Sequence, residues 1–228
     1  MSNHVLIVED NTDMRNSLAD YLKSEDLSVI AVSSAEEAID VVDENDIDAG
    51  IVDINLPGKS GFDLIEYVRE QGHSYPLLAM TARESIDDKL RGFNLGLTDY
   101  IVKPFDVKEL TARLKVHLRN AGGDSEEQIK IGEYSANPKN LSFTKAGKNI
   151  ELTQLEFRLA YALLRHNDTI VKLDDLIEFA WGESDQMINP PIRIHIANLR
   201  KKIGDTNYEI IRTIPGKGYI FNAQMEQK

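Results

Sequence analysis

The sequence predicts an α/β fold in its first half, a parallel sheet with helices on both faces, followed by a smaller module of mixed strands and helices. Three observations carry this. Short apolar runs near residues 4–8, 28–32, 49–53, 77–81 and 99–103 alternate with segments of helical length, and strand–helix alternation builds parallel sheets. Four of these runs end on chemistry-bearing side chains: Glu9-Asp10, Asp53, Thr81 and Lys103. Beyond residue 127 the pattern gives way to short strands, three helical stretches and a terminal hairpin.

Taken in order, His4-Val5-Leu6-Ile7-Val8 is a buried-strand run that stops on two acids. Ser34 followed by Glu37 reads as a capping box, its side chains satisfying the free N–H groups of a first helical turn. Gly50-Ile51-Val52-Asp53 ends in an acid before Pro57-Gly58 turns the chain, and Gly58 and Gly61 are expected to keep the following loop open. Leu77-Leu78-Ala79-Met80 leads to Thr81, and Tyr100-Ile101-Val102 to Lys103; Asp106 with Glu109 mimics a second capping box. Residues 120–127, polar and Gly-bearing, read as a flexible linker between domains at 1–119 and 128–228. Strands are then expected near 129–134, 141–144 and 148–151. A helix opened by the Thr153/Glu156 box should run to about 165, with further helices near 173–181 and 191–203. Two β-rich runs around Pro215-Gly216-Lys217-Gly218 close the chain as a hairpin.

With 42% hydrophobic and 28% charged residues over 228 positions, the composition is that of a soluble globular protein. The absence of cysteine excludes disulfides and thiolate metal sites and fits a reducing compartment. No signal peptide or membrane span is expected, so the expected location is cytoplasmic, without a membrane partner. The net charge of −12 is uneven: residues 1–123 hold 12 Lys+Arg against 23 Asp+Glu, and residues 124–228 hold 14 against 15. Nucleic acid would be repelled by the first half and not by the second.

In open α/β sheets, ligand chemistry gathers at the carboxyl ends of strands. Glu9, Asp10 and Asp53 gathered there repel one another unless a cation intervenes. Mg²⁺ suits the set, since it prefers oxygen ligands and is held by one or two carboxylates plus a phosphate. Lys103 supplies a point charge for a phosphoryl oxygen and Thr81 a hydrogen bond. This is the equipment of phosphoryl transfer by positioning and electrostatics, with Asp53 as nucleophile.

The set Glu9-Asp10, Asp53, Thr81-Ala82 and Lys103-Pro104-Phe105 resembles the receiver domain of two-component response regulators. The resemblance implies a five-stranded doubly wound parallel sheet of the flavodoxin/CheY-like kind, phosphorylated on Asp53 by a sensor histidine kinase. It implies Mg²⁺ held by Asp10, Asp53 and the carbonyl of Asn55, with Glu9 acting largely through water, and a cis Lys103–Pro104 bond. Asn55 and Arg83 stand where the family tunes phosphate lifetime, and Tyr100 resembles its switch aromatic. Lys89 with Glu109 and Asp99 with Arg113 are implied to pair across a homodimer, as weak exposed ion pairs that set register. The sequence departs at Leu95 and Asn120, where a third pair is usual, and at Leu97-Thr98.

In the stretch near 191–203, Ile192, Ile196, Leu199 and Ile203 make one apolar stripe, while Arg193, His195, Asn198, Arg200, Lys201 and Lys202 cover the rest without an acid. Such a helix suits a DNA major groove, and Arg212, Thr213 and Lys217 at the hairpin tip resemble a wing that touches the duplex. Removing Arg200 or Lys201 should flatten the salt dependence of binding. With Trp181-Gly182 and Gly216-Lys217-Gly218-Tyr219, these residues resemble the C-terminal winged-helix α+β domain of the OmpR/PhoB family, which implies an N-terminal four-stranded sheet. Departures at Pro190-Pro191, Arg193, Ala197-Asn198 and Pro215 mean that no cognate DNA sequence transfers from relatives.

The expected function is a phosphorylation-controlled transcription regulator that dimerises on tandem DNA sites, is not an enzyme, and has RNA polymerase as a further partner. One rival, a module docking on a protein partner, needs more apolar than basic surface near 191–203. Another, a phosphatase or flavin protein, needs a second acid after Asp53 or a phosphate loop after the first strand.

Overall fold

In the computed structural model, which describes residues 3–82, 86–119, 127–181 and 191–224, the five apolar runs form β1 (His4–Val8), β2 (Ser28–Val32), β3 (Ala49–Asp53), β4 (Leu77–Thr81) and β5 (Asp99–Val102). Arg83, Gly182, Pro190 and the expected linker except Glu127 lie outside the described residues. The chain divides into two compact units, Met1–Leu118 and Arg119–Lys228.

The strands pair in parallel in the order β2-β1-β3-β4-β5. β3 and β4 are buried along their whole length, which is why both read as continuous apolar runs rather than alternating ones. α1 (Thr12–Ser24), α2 (Ala35–Glu44), α3 (Gly61–Glu70) and α4 (Ile86–Asn94) connect them, and α5 (Val107–Arg119) follows β5. Val5, Ile7, Ile51, Leu78, Met80 and Ile101 pack with Leu18, Leu22, Leu110, Leu114 and Leu118, joining one sheet face to α1 and α5. The strand order reverses between β1 and β3, so the connections leaving their carboxyl ends run to opposite sides and open a crevice between them.

Local signals were used somewhat differently from expectation. The Ser34 side chain caps Glu37 N, but the Glu37 carboxylate accepts from Ser33, one residue before the cap. Asp106 accepts from Lys108 N, while Glu109 turns to Arg113. A full capping box forms at Ser60 and Asp63, and it opens α3 at Gly61, a residue expected in the loop. A Cβ on Gly61 would stand 2.2 Å from the carbonyl oxygen of Asp53. The bare backbone lets α3 close against the end of β3. Gly61→Ala is therefore expected to cost about 1–3 kcal/mol through overpacking, measured by urea unfolding; an unchanged midpoint would show that the contact relaxes freely.

In the second unit, β6 (Ile129–Ile131), β7 (Tyr134–Asn137), β8 (Ser142–Lys145) and β9 (Lys148–Ile150) form an antiparallel sheet in chain order. The run expected as one strand near 129–134 turns at Gly132-Glu133 and contributes to two. α6 (Gln154–Arg165) follows, buried from Gln154 to Leu164 and opened by the Thr153/Glu156 box. A helix enclosed all round is the centre of its core. Next come β10 (Val171–Lys172), α7 (Leu173–Trp181), α8 (Ile192–Ile203), β11 (Ile211–Ile214) and β12 (Gly218–Phe221). β10 had no sequence signal, being two residues long. It pairs with β12 to make a three-stranded sheet, where a Cβ on Gly218 would lie 2.0 Å from the Val171 carbonyl oxygen. Among the described residues, no helix is long and apolar enough to cross a membrane.

Candidate functional site

β1, β3, β4 and β5 deliver their last residues to one sheet edge. Glu9 and Asp53 are 1% and 4% exposed, Thr81 is buried, and Asp10 faces solvent. Carboxylate oxygens of Glu9, Asp10 and Asp53 come within 4.8 Å of one another. The Lys103 ammonium donates to Glu9 Oε2 and to Asp53 Oδ2, each at 2.6 Å. Its backbone N–H donates to the Thr81 carbonyl at 2.8 Å, and the Lys103–Pro104 bond is cis.

The loops are held as firmly as the side chains. Asp53 Oδ1 accepts from Asn55 N at 2.8 Å, so both oxygens of this carboxylate are engaged. Glu9 Oε1 accepts from Asn11 N, and Arg15 donates to the carbonyls of both Glu9 and Asp10. Sequence reading passed over Arg15, because an arginine on a first helical turn has no special spacing. Burial raises the Glu9 pKa, and the Lys103 hydrogen bond and charge only partly offset it. Burial also opposes the Lys103 charge, but bonds to Asp53 and Glu9 outweigh it and raise its pKa.

One cation among three carboxylates leaves a surplus of negative charge in a partly dry crevice. An all-oxygen donor set with one solvent-facing acid fits a hard divalent ion such as Mg²⁺.

Tyr100, half-buried, meets Phe93 edge-on with ring centroids 5.6 Å apart, and Lys89 Nζ sits 4.3 Å from the Tyr100 ring centre. Within the single chain, the residues expected to pair across subunits make contacts of their own. Arg113 bonds Asp99 at 2.9 Å and Glu109 at 2.8 Å within one chain, and Lys89 lies on Tyr100 rather than on Glu109. Nor is the Asp99–Arg113 pair exposed: Asp99 is 3% exposed, and burial raises its pKa against the pull of Arg113. Asp99 stands on an edge strand, so nothing local in the sequence distinguishes an inward from an outward carboxylate.

In the second unit, α8 buries Ile192, Ile196, Leu199 and Ile203 as expected. It also buries His195, which corrects the placing of His195 on the basic face. His195 is 2% exposed, and its ring meets Trp181 at 5.7 Å in an edge-on contact. Arg193 and Lys201 are exposed and Asn198 is half-buried. Lys202 reaches back to Glu156 Oε2 at 2.6 Å, joining the capping box of α6. Arg212, Thr213 and Lys217 are exposed on the hairpin. Between α8 and the hairpin lies an open cleft of about 1070 Å³, lined by Arg193, Arg200, Thr213 and Lys217. Lys172 of β10 also lines it; with no sequence signal for β10, nothing pointed to that lysine.

The description "Response regulator receiver domain" matches residues 5–115, and "Transcriptional regulatory protein, C terminal" matches residues 147–221. The chain is 34% identical to the two-component response regulator PhoP of Pseudomonas aeruginosa, over 96% of this chain and 98% of that protein. It is equally similar to the regulatory protein VanR of Enterococcus faecium, at 34% over the same shares. With the transcriptional regulatory protein CpxR of Escherichia coli it shares 31% over 96% of this chain and 97% of the relative. Among solved structures, a mutant of RitR superposes with a TM-score of 0.79 at 19% identity, over 97% of this chain and 99% of that one. The response regulator DrrB of Thermotoga maritima, titled an OmpR/PhoB homolog, gives 0.55 at 24%, over 97% and 100%. At these identities the structures speak for the fold.

Proposed function

Since the chain belongs to the OmpR/PhoB family of two-component response regulators, with a receiver and a DNA-binding domain, we propose that Asp53 is its phosphoryl acceptor and a sensor histidine kinase its donor. The observation that carries this is the Lys103 ammonium held 2.6 Å from both Glu9 and Asp53 at the crevice of the sheet. An Asp53 oxygen attacks phosphorus, the bond from phosphorus to the donor's imidazole nitrogen breaks, and that nitrogen takes back a proton. Lys103 then exchanges a carboxylate for a phosphoryl oxygen, and the Thr81 hydroxyl donates to another. Asp10, Asp53 and the Asn55 carbonyl would hold Mg²⁺, with Glu9 behind them, and the ion would supply charge neutralisation for the transferring group.

A phosphoryl group adds about one unit of negative charge and new acceptor oxygens. Drawing Thr81 toward it vacates space for Tyr100 to turn, which takes the ring from under Lys89. The face that carries Lys89, Asp99, Glu109 and Arg113 then pairs in a homodimer, with Arg113 exchanging its partners within the chain for those of a second subunit. Residues 1–119 are the receiver, 120–127 a linker and 128–228 the winged-helix domain, so dimerisation holds two DNA-binding domains near tandem sites. Arg193, Asn198, Lys201, Arg212 and Lys217 are the proposed DNA contacts; Lys202, whose ammonium is held by Glu156, is not among them. The protein works in the cytoplasm with RNA polymerase as a further partner, and it turns over no substrate beyond its own phosphoryl group.

The test is chemical. Incubated with Mg²⁺ and acetyl phosphate, the wild-type chain is expected to gain one base-labile phosphoryl group, mapped by mass spectrometry to the peptide bearing Asp53. An adduct on another residue, or none, would overturn the assignment.

A further inference from the structure

Arg200 sits in the last turn of α8, where a basic side chain complements the helix dipole. Its guanidinium does not face outward. Nε and Nη2 donate to the Ile211 carbonyl at 2.9 and 2.6 Å, and Nη2 donates to Thr213 Oγ1 at 2.9 Å. Both acceptors belong to β11, the first strand of the hairpin. The charge lies 4.8 Å from the Tyr208 ring centre and 6.0 Å from that of Tyr219. Tyr208 is itself 61% exposed, so its ring covers the guanidinium from the solvent side. The Arg200 side chain is left 12% exposed.

The strand that Arg200 grips is held through Asp205 as well. Asp205 N donates to the Arg200 carbonyl at 2.8 Å, and the Asp205 carboxylate accepts from the backbone of Glu209, Ile210 and Ile211. Asp205 Oδ2 is 3.9 Å from Arg200 Nε. Helix end, connecting loop and first wing strand thus form one closed circuit through the Arg200 and Asp205 side chains. A guanidinium fork bound to one carbonyl from two nitrogens has a fixed direction, which a lysine cannot reproduce.

We propose that Arg200 is a positioning residue: it fixes the wing against the DNA-facing helix and so sets the distance between the two DNA-contacting elements, without neutralising a phosphate itself. This replaces the expectation that its removal flattens the salt dependence, and it rests on the reading that α8 and the hairpin face DNA. Lys201, exposed one residue on, remains the charge on that turn that faces the phosphates.

The test uses the full chain and the tightest duplex that wild type selects from a random library. Arg200→Gln and Arg200→Lys are both expected to lose about tenfold in affinity, with the slope of log affinity against log salt unchanged. Lys201→Gln should lower that slope by about 0.9. Thr213→Val should add nothing to the loss in Arg200→Gln, because in a double-mutant cycle partners in one contact are not additive. Should Arg200→Gln unfold, the cycle is run with Arg200→Lys. A slope reduced by about one in Arg200→Gln, recovery in Arg200→Lys, or additive losses would overturn the proposal alone. If Lys201→Gln and Arg193→Gln leave binding untouched, the DNA-facing surface falls and takes the proposal with it.

Discussion

Asp53→Asn is expected to abolish phosphoryl uptake and, with it, every phosphodonor-dependent gain in dimerisation and DNA binding, while the fold persists. The side chain is 4% exposed and makes two bonds, accepting from Asn55 N through Oδ1 and from Lys103 through Oδ2. An asparagine of the same shape keeps the first. Lys103 loses one carboxylate but retains Glu9 at 2.6 Å, so no ammonium is stranded in the crevice. What disappears is the proposed nucleophile. With wild type, acetyl phosphate and Mg²⁺ should raise DNA affinity by about 10²–10⁴ through the effective concentration of linked modules. Gel shift and sedimentation with and without the donor read this directly. A variant that still responds would place the switch on another acceptor.

Asp205→Ala is expected to produce the largest loss of stability in the C-terminal unit, about 3 kcal/mol or more, from the unpaired donors it leaves. Asp205 is 3% exposed, and its two oxygens accept from three successive backbone amides, Glu209, Ile210 and Ile211, at 2.8–3.1 Å. Ile210 and Ile211 are themselves 1% and 0% exposed, so water has little access to the amides left without an acceptor. Asp205→Asn keeps one acceptor oxygen and should lose less. Trp181, the single tryptophan of the chain and wholly buried in this unit, reports its unfolding in urea. A midpoint unmoved by Asp205→Ala would mean that the wing base is held by other contacts.

The two positions differ in how far they could be read in advance. Asp53 is legible because a buried strand leaves a short unbroken apolar run, and the residue that stops it stands at the sheet edge. The same logic exposes Glu9, Thr81 and Lys103, and β3 and β4 are buried along their length as their composition requires. Helical periodicity likewise marks the apolar stripe of α8 and, with its caps, the start of α6. Asp205 carries no comparable mark. It is one acid in a polar turn, and its importance comes from amides four to six residues later folding back on it.

His195 shows the limit on a helix. Periodicity gives the centre of the buried stripe but not its width, and Trp181 of α7 widens it by one residue. The sequence by itself determined which segments become strands and helices, in what order, and that acids, hydroxyl and ammonium gather at one edge, because these follow from burial pattern and chain connectivity over a few residues. Only the tertiary structure decided which charges are already spoken for. Lys202 is taken by Glu156, Arg113 by Asp99 and Arg200 by β11, across 46, 14 and 11 residues of chain. A charged side chain settles on the partner that packing brings within reach, and no spacing rule carries that distance.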